Sequence, residues 1–119
     1  MSQNTTTAAA YKASTIDAED YGPFMVDGTA VGEVHWIRNE AAGANDTLLV
    51  GLWRSEPTTV PYFFGEDETI HALEGELQIT LESGEVVTLT PGDIASFDKG
   101  TKSTWTIMSS FKKLFIISG

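Results

Sequence analysis

The chain has 119 residues, which suffices for a single domain with a hydrophobic core. Seven basic and seventeen acidic residues give a formal net charge of −10, which argues against nucleic acid as a partner because its phosphates would be repelled. The absence of cysteine excludes disulfides and thiolate sites, and no apolar run is long enough to cross a membrane, so we expect a cytoplasmic protein without a membrane partner.

The first part of the chain is poor in regular patterns. Residues 1–14 are rich in Thr and Ala and are predicted to form a flexible tail, with one domain over residues 15–119. Residues 15–33 contain scattered Gly and Asp and are interpreted as loop. EVHWIRN (33–39) is a strand candidate, and AAGAND (41–46) is predicted to be a turn-forming loop. TLLVGLWRS (47–55) is β-rich and apolar on both faces, which predicts a buried strand.

The rest of the chain alternates between short β-rich segments and turn signals. Turns are predicted around Pro57 and Pro61 and at Gly75, Gly84, Gly92 and Gly100, where a side chain should be poorly tolerated. The segments between them are ETIHAL, ELQITLE, EVVTLT, DIASFD, STWTIM and KKLFIIS. Many short strands with frequent turns predict an all-β sandwich or barrel.

Three motifs in this region resemble the cupin superfamily. Glu68 and Gly75 form an E-x6-G pattern, PGD stands at 91–93, and KG stands at 99–100. Residues 47–118 resemble small single-domain cupins related to ethanolamine-utilisation cupins and to the cupin region of (S)-ureidoglycine aminohydrolase. The resemblance implies a double-stranded β-helix, which is a jelly-roll barrel.

The resemblance also implies where a metal would be held. Cupin metal sites use a His-x-His pair, a glutamate and a second-motif histidine, all pointing into the barrel. Glu68 matches the glutamate, whereas Ser103 stands at the second-motif position. The positions of the His-x-His pair hold Tyr62 and Phe64, or Pro61 and Phe63. We therefore expect no metal cofactor, with zinc, nickel or manganese as the alternative to be tested.

Strand alternation separates the inward side chains from the outward ones. If Glu68 points into the barrel, His71 on the same strand points out, and we assign it a structural or interface role. His35 matches no ligand position and is also interpreted as structural. Lys112 and Lys113, on the last strand, are interpreted as solvated or interface residues.

Glu68 is the predicted catalytic or ligand-anchoring residue. Ser103 and Trp105 share a face of their strand, and aromatic side chains are expected to form a wall around the carboxylate. A carboxyl group beside rings can act as a general acid or base, or pair with a cationic ligand. The predicted ligand-binding residues are Trp53, Tyr62, Phe64, Glu68, Ser103 and Trp105.

Three functions are compatible with this pattern. The first is binding of a small polar metabolite inside the barrel, without a metal ion. The metabolite can contain nitrogen, but the pattern does not require it. The second is a hydrolase or isomerase, resembling the aminohydrolase relatives, that acts on a ureido or amino compound with Glu68 as acid, base or metal ligand. The third is a non-catalytic accessory protein. We also expect a homodimer in which Val34, Trp36 and the tail cover a neighbouring sheet. Glu68→Gln is expected to stay folded, with stability equal or higher because a buried charge is removed, and to lose ligand affinity or activity.

Overall fold

The computed structural model describes residues 10–41 and 47–119. Every regular element in these residues is a β-strand, which confirms the all-β prediction. The strands are β1 (Gly22–Val26), β2 (Thr29–Ala41), β3 (Thr47–Ser55), β4 (Thr58–Phe63), β5 (Asp67–Leu81), β6 (Val86–Leu89), β7 (Ile94–Phe97) and β8 (Lys102–Ser118). Among the described residues, no helix is long and apolar enough to cross a membrane. The cytoplasmic location stays a prediction.

The strands form an antiparallel sheet that folds round into the predicted jelly-roll barrel. Its hydrogen-bonded order is β1-β2-β3-β8-β5-β6, with β4 paired to β8 and β7 paired to β5. The second half of β8 lies between β3 and the first half of β5. Its first half lies between β4 and the second half of β5. Strands β5 and β8 therefore run the length of the barrel and supply most of its interior.

Alternation along these two strands builds the core. Apolar side chains at every second position point inward and are almost fully buried, while their neighbours face outward. The buried residues on β5 and β8 include Ile70, Ala72, Leu77, Ile79, Trp105, Ile107, Phe111 and Phe115. The same face of these strands carries the site residues described below.

The prediction of a turn at Gly75 was wrong. Strand β5 passes through this position without a break, and its pairing with β8 shifts register between Ala72 and Leu77. Before the irregular stretch, the inward-facing residues of β5 have even numbers, and after it they have odd numbers. The change arises because the irregular stretch inserts an extra residue. Gly75 has a φ of 77°, and a Cβ at this position would collide with the carbonyl oxygen of Ser110. Glycine at this position therefore permits a β-bulge in β5 at which the backbone of β8 comes close.

The conformational prediction for the four glycines is confirmed. Gly75, Gly84, Gly92 and Gly100 all have positive φ, in the region that favours glycine. The separation of STWTIM from KKLFIIS was wrong, because both belong to β8. The regularity of β8 is hidden in the sequence by the polar, exposed Ser109 and Ser110 at its middle.

The loop assigned to residues 15–33 contains a hairpin that sequence reasoning missed. Strands β1 and β2 pair across a two-residue turn in which Asp27 and Gly28 have φ values of 50° and 82°. Two residues with positive φ give the turn twist that fits antiparallel strands, and Asp-Gly is a preferred sequence for it. This hairpin packs Phe24 and Val31 against the hydrophobic core, where both line the cavity described below.

The segment before β1 is fastened to the outside of the sheet. Ser14 Oγ lies 2.6 Å from Nε2 of the buried His35, and His35 Nδ1 lies 3.1 Å from the carbonyl oxygen of Asp20. Lys112 donates a hydrogen bond of 2.7 Å to the carbonyl oxygen of Ile16. Both ring nitrogens of His35 therefore have partners within the chain, and its structural role stays a prediction. Residues 1–9 of the predicted tail and residues 42–46 of the predicted loop lie outside the described residues.

The residues expected to cover a neighbouring sheet pack inside this chain instead. Val34 is 4% exposed, and Trp36 packs edge-on against Phe115 at 5.8 Å between ring centroids. The outer face of the barrel does expose Ile94 and Ile116, which are 66% and 40% accessible. We propose that this face mediates the homodimer. Light scattering should give twice the mass of 12.9 kDa, and the mass of a single chain at micromolar concentration would contradict the proposal.

Candidate functional site

Glu68 lies inside the barrel and has partners for both carboxylate oxygens. It is 1% exposed, on the inward face of β5. The Tyr62 hydroxyl donates a hydrogen bond of 2.6 Å to Oε1. The Lys113 ammonium donates one of 2.7 Å to Oε2. Burial, followed by the nearby carboxylate, raises the pKa of Tyr62 above its ordinary value, so this hydroxyl stays a donor.

Lys113 provides a cation in the barrel interior. It is 4% exposed and lies on β8, with Ala72 directly across on β5 and Trp53 across on β3. Because the alanine side chain is small, the lysine can extend past it towards Glu68. Its Nζ lies 4.4 Å from the ring centroid of Trp105 and 5.2 Å from those of Trp53 and Phe115, within cation–π range. Burial lowers the pKa of Lys113, and the charge and hydrogen bond of Glu68 oppose that shift.

The interpretation of Lys113 as a solvated or interface residue was wrong. Ser103 and Trp105 were expected to share a face of their strand, and β8 continues that alternation through Ile107 and Phe111 to Lys113. Sequence reasoning missed the lysine because the strand had been divided in two. Continuing the period of two would have placed Lys113 inside. Lys112 lies on the outward face, where it donates a hydrogen bond to the carbonyl oxygen of Ile16 and forms a salt bridge with Glu74.

Three of the predicted aromatic residues surround this ion pair. The ring centroids of Tyr62 and Trp105 are 4.4 Å apart, and those of Trp53 and Trp105 are 5.8 Å apart. Phe64 is buried behind Tyr62 and stacks on Phe97 at 4.7 Å, so it supports the wall. Ser103 is not brought to the carboxylate, because its hydroxyl donates to the carbonyl oxygen of Tyr62 at 2.7 Å.

A small cavity adjoins the ion pair. Its volume is about 50 Å³, and Glu68, Lys113, Tyr62 and Trp105 line it. The exposed residues Val26 and Pro61 lie at its edge. A single buried water needs only about 10–15 Å³ by this measure, so the cavity has room for a molecule of a few non-hydrogen atoms.

The two tryptophans beside the lysine differ in how their N–H groups are satisfied. Trp53 Nε1 donates to the carbonyl oxygen of Val31 at 2.9 Å. Trp105 is 2% exposed, and its Nε1 has no hydrogen-bond acceptor within residues 10–41 and 47–119. A buried N–H group normally has a partner, because leaving it unpaired costs about 1–3 kcal/mol. Trp105 is thus a cavity-lining residue whose buried N–H group has no acceptor among the described residues.

The residues around Glu68 do not fit the metal that cupin motifs imply. Its oxygens are bonded to a hydroxyl and an ammonium group, neither of which is a usual ligand for a divalent transition metal. Within the described ranges, no three His, Asp or Glu side chains are placed to hold a metal ion. The absence of a metal cofactor stays a prediction.

The family assignment agrees with this architecture. The model of the EutQ-like cupin domain matches residues 42–115, which is more than half of the chain. The chain belongs to this family. It is thus a small EutQ-like cupin, as the sequence motifs indicated. A search of curated proteins found no match.

Solved structures share the EutQ-like cupin fold. A DUF861-family protein from Thermotoga maritima is 26% identical, with a TM-score of 0.54 over 56% of this chain and 75% of that one. The ethanolamine utilization protein Q structure from Salmonella typhimurium LT2 is 22% identical, with a TM-score of 0.67 over 82% and 77% of the two chains. Clostridium difficile EutQ is 21% identical, with a TM-score of 0.56. The match covers 60% of this chain and about half (51%) of that protein.

Proposed function

We propose that the barrel binds a small, uncharged molecule that carries a carbonyl group, in the cavity beside Glu68 and Lys113. The observation that carries this proposal is the buried Lys113 ammonium, which lines the cavity and donates to Glu68. A lysine ammonium has three N–H donors, and one of those on Lys113 reaches Glu68. A ligand oxygen would accept hydrogen bonds from the remaining donors.

The internal ion pair argues against a cationic ligand. An amine held by Glu68 and the aromatic rings is one interpretation that the sequence allows. The Lys113 ammonium takes that position, 2.7 Å from Glu68 Oε2 and above the Trp105 ring. A second cation would meet its like charge at low dielectric, which costs several kcal/mol. A neutral amide or ureido carbonyl, in contrast, can accept hydrogen bonds from the remaining N–H groups of Lys113. It leaves the Glu68–Lys113 ion pair intact.

Acetamide and acetamidinium form a matched pair for testing this. They have the same shape and number of non-hydrogen atoms, but only acetamide has a carbonyl oxygen and no charge. Four non-hydrogen atoms at no more than about 1.5 kcal/mol each limit the affinity, so we expect acetamide to bind with a Kd in about the millimolar range. Calorimetric titration should detect acetamide binding and no acetamidinium binding.

Variants on strand β8 supply the control for this titration. Lys113→Met should abolish acetamide binding, whereas Lys102→Met, at an exposed position of the same strand, should leave it unchanged. Binding of acetamidinium instead of acetamide would overturn the proposal. Binding of neither would favour a protein that uses the fold for assembly alone.

Catalysis on a ureido or amino compound is a second candidate. It is favoured by the hydrogen bonds that join Glu68 to two proton donors, Tyr62 and Lys113, at the cavity wall. Such a cluster can act in general acid–base catalysis. Release of ammonia from a small ureido compound, lost in Glu68→Gln while the variant remains folded, would support it.

A further inference from the structure

We propose that Lys113 forms a reversible imine with a small aldehyde inside the barrel, and that Glu68 moves the protons of this reaction. The inference rests on the proposed function, since the aldehyde would occupy the same cavity as any other carbonyl ligand. It adds a covalent step and a reactive substrate class. Lys113 is then a catalytic residue, because its nitrogen becomes bonded to the substrate carbon.

The arrangement of three features supports this role. The Lys113 ammonium is buried, it lines a cavity of about 50 Å³, and a carboxylate oxygen lies 2.7 Å from it. A buried lysine next to a proton acceptor is the arrangement that activates an amine for attack on a carbonyl carbon. Stability alone is a weak reason to keep the pair, because packed apolar residues in place of a buried ion pair are often neutral or stabilising.

The reaction can proceed with protons that the site already holds. The Lys113 ammonium gives a proton to the Glu68 carboxylate, which leaves a free amine and a carboxylic acid. The amine nitrogen attacks the aldehyde carbon, a C–N bond forms, and the carbonyl oxygen takes the proton from Glu68. Glu68 then accepts a proton from the new nitrogen and returns it to the hydroxyl group. The hydroxyl leaves as water while the C=N bond forms. An ammonium and an aldehyde thus become a protonated imine and one water molecule.

The charge of the site is the same before and after the reaction. The protonated imine carries one positive charge, like the ammonium, so Glu68 keeps a cationic partner and the rings of Trp53 and Trp105 keep a cation to face. No charge is left unpaired in the interior, which would otherwise be costly. Burial also lowers the pKa of Lys113, which increases the fraction of free amine.

Trapping with borohydride tests the imine on the unmodified protein. The protein is incubated with acetaldehyde at neutral pH, sodium borohydride is added, and tandem mass spectrometry of peptides locates ethylated lysines. We expect Lys113 to be ethylated faster than the exposed Lys99 and Lys102, because burial lowers its pKa and the Glu68 carboxylate lies 2.7 Å from its nitrogen. In denaturant this preference should disappear. Lys113→Arg should lose the added ethyl group at this position and keep those on the surface.

The outcomes separate this inference from the proposed function. Ethylated Lys99 and Lys102 beside unmodified Lys113 would overturn the imine. Acetamide binding without trapping at Lys113 would leave the proposed function standing and overturn the inference. If neither acetamide binding nor trapping at Lys113 occurs, both the proposed function and the imine are overturned. Equal labelling in the folded and unfolded protein would also overturn the inference, because the folded site would then contribute nothing.

Discussion

Glu68→Gln is expected to lower the free energy of unfolding by about 3 kcal/mol at neutral pH, because it leaves the buried Lys113 ammonium without a counter-charge. This replaces the expectation drawn from the sequence, in which the substitution only removed a buried charge. The structure shows that the charge is one member of a pair, with Lys113 4% exposed. Denaturant unfolding followed by tryptophan fluorescence measures the difference, and far-ultraviolet circular dichroism shows whether the variant is folded.

The pH dependence of the same variant gives a second readout. Burial already lowers the pKa of Lys113, and the Glu68 carboxylate opposes this shift. The pKa of Lys113 therefore falls further when a neutral glutamine replaces Glu68. Between the lowered pKa in the folded state and the ordinary value of about 10.4, the unfolded chain binds more protons than the folded chain, so stability rises with pH. We expect Glu68→Gln to gain stability as the pH rises towards the ordinary pKa of lysine, more steeply than the wild type.

Glu74→Gln is the matched control for this substitution. Glu74 lies on the same strand and pairs with Lys112 at 3.3 Å, but its side chain is 65% exposed. Because this carboxylate is largely in solvent, we expect the pair to contribute about 0–1 kcal/mol, as surface pairs do. If Glu68→Gln were as stable as Glu74→Gln and showed the pH profile of the wild type, the buried pair would not have the energetic role assigned here.

Replacing the whole cluster with apolar residues is expected to restore the stability that the single substitution removes. In the triple variant Glu68→Leu, Lys113→Met, Tyr62→Phe, no buried charge and no buried hydroxyl is left without a partner. Such replacements of buried ion pairs are often neutral, or stabilise by about 1–4 kcal/mol. We expect unfolding free energy at or above that of the wild type, together with complete loss of acetamide binding, measured by denaturant unfolding and calorimetry.

The triple variant also decides why the cluster is present. A variant that is stable and does not bind would show that these residues serve the ligand at no gain in stability. A triple variant less stable than Glu68→Gln would mean that the polar cluster is required for folding, and the argument that its charges exist for chemistry would fail.

The sequence was sufficient to predict the fold and the position of Glu68. The short β-rich segments predicted an all-β sandwich or barrel, and the resemblance to cupins implied a jelly roll in which Glu68 points inward; the structure has both features. These features depend on local conformation and on a period of two, which are visible in short segments. The inward position of Tyr62 followed from the same cupin spacing, although its bond to Glu68 did not.

The partners of Glu68 could not be predicted, because they depend on register between distant strands. Lys113 is 45 residues from Glu68 in the chain, and the contact requires β8 to be one long strand paired with β5. Both inward and outward faces near Lys113 contain apolar residues as well as a lysine, so hydrophobicity alone does not choose between Lys112 and Lys113. The β1–β2 hairpin was hidden for a different reason, since β1 has only five residues and begins with Gly22 and Pro23.

The NMR signal of the Lys113 side chain during an acetamide titration tests the central claim most directly. The Cε signal can be assigned by its loss in Lys113→Arg, and the exposed lysines serve as internal controls. The account predicts a saturable shift of the Lys113 signal at about millimolar acetamide, with no such shift for the exposed lysines or with acetamidinium. A Lys113 signal that stays unchanged in acetamide would contradict the claim that this buried ion pair forms the ligand site.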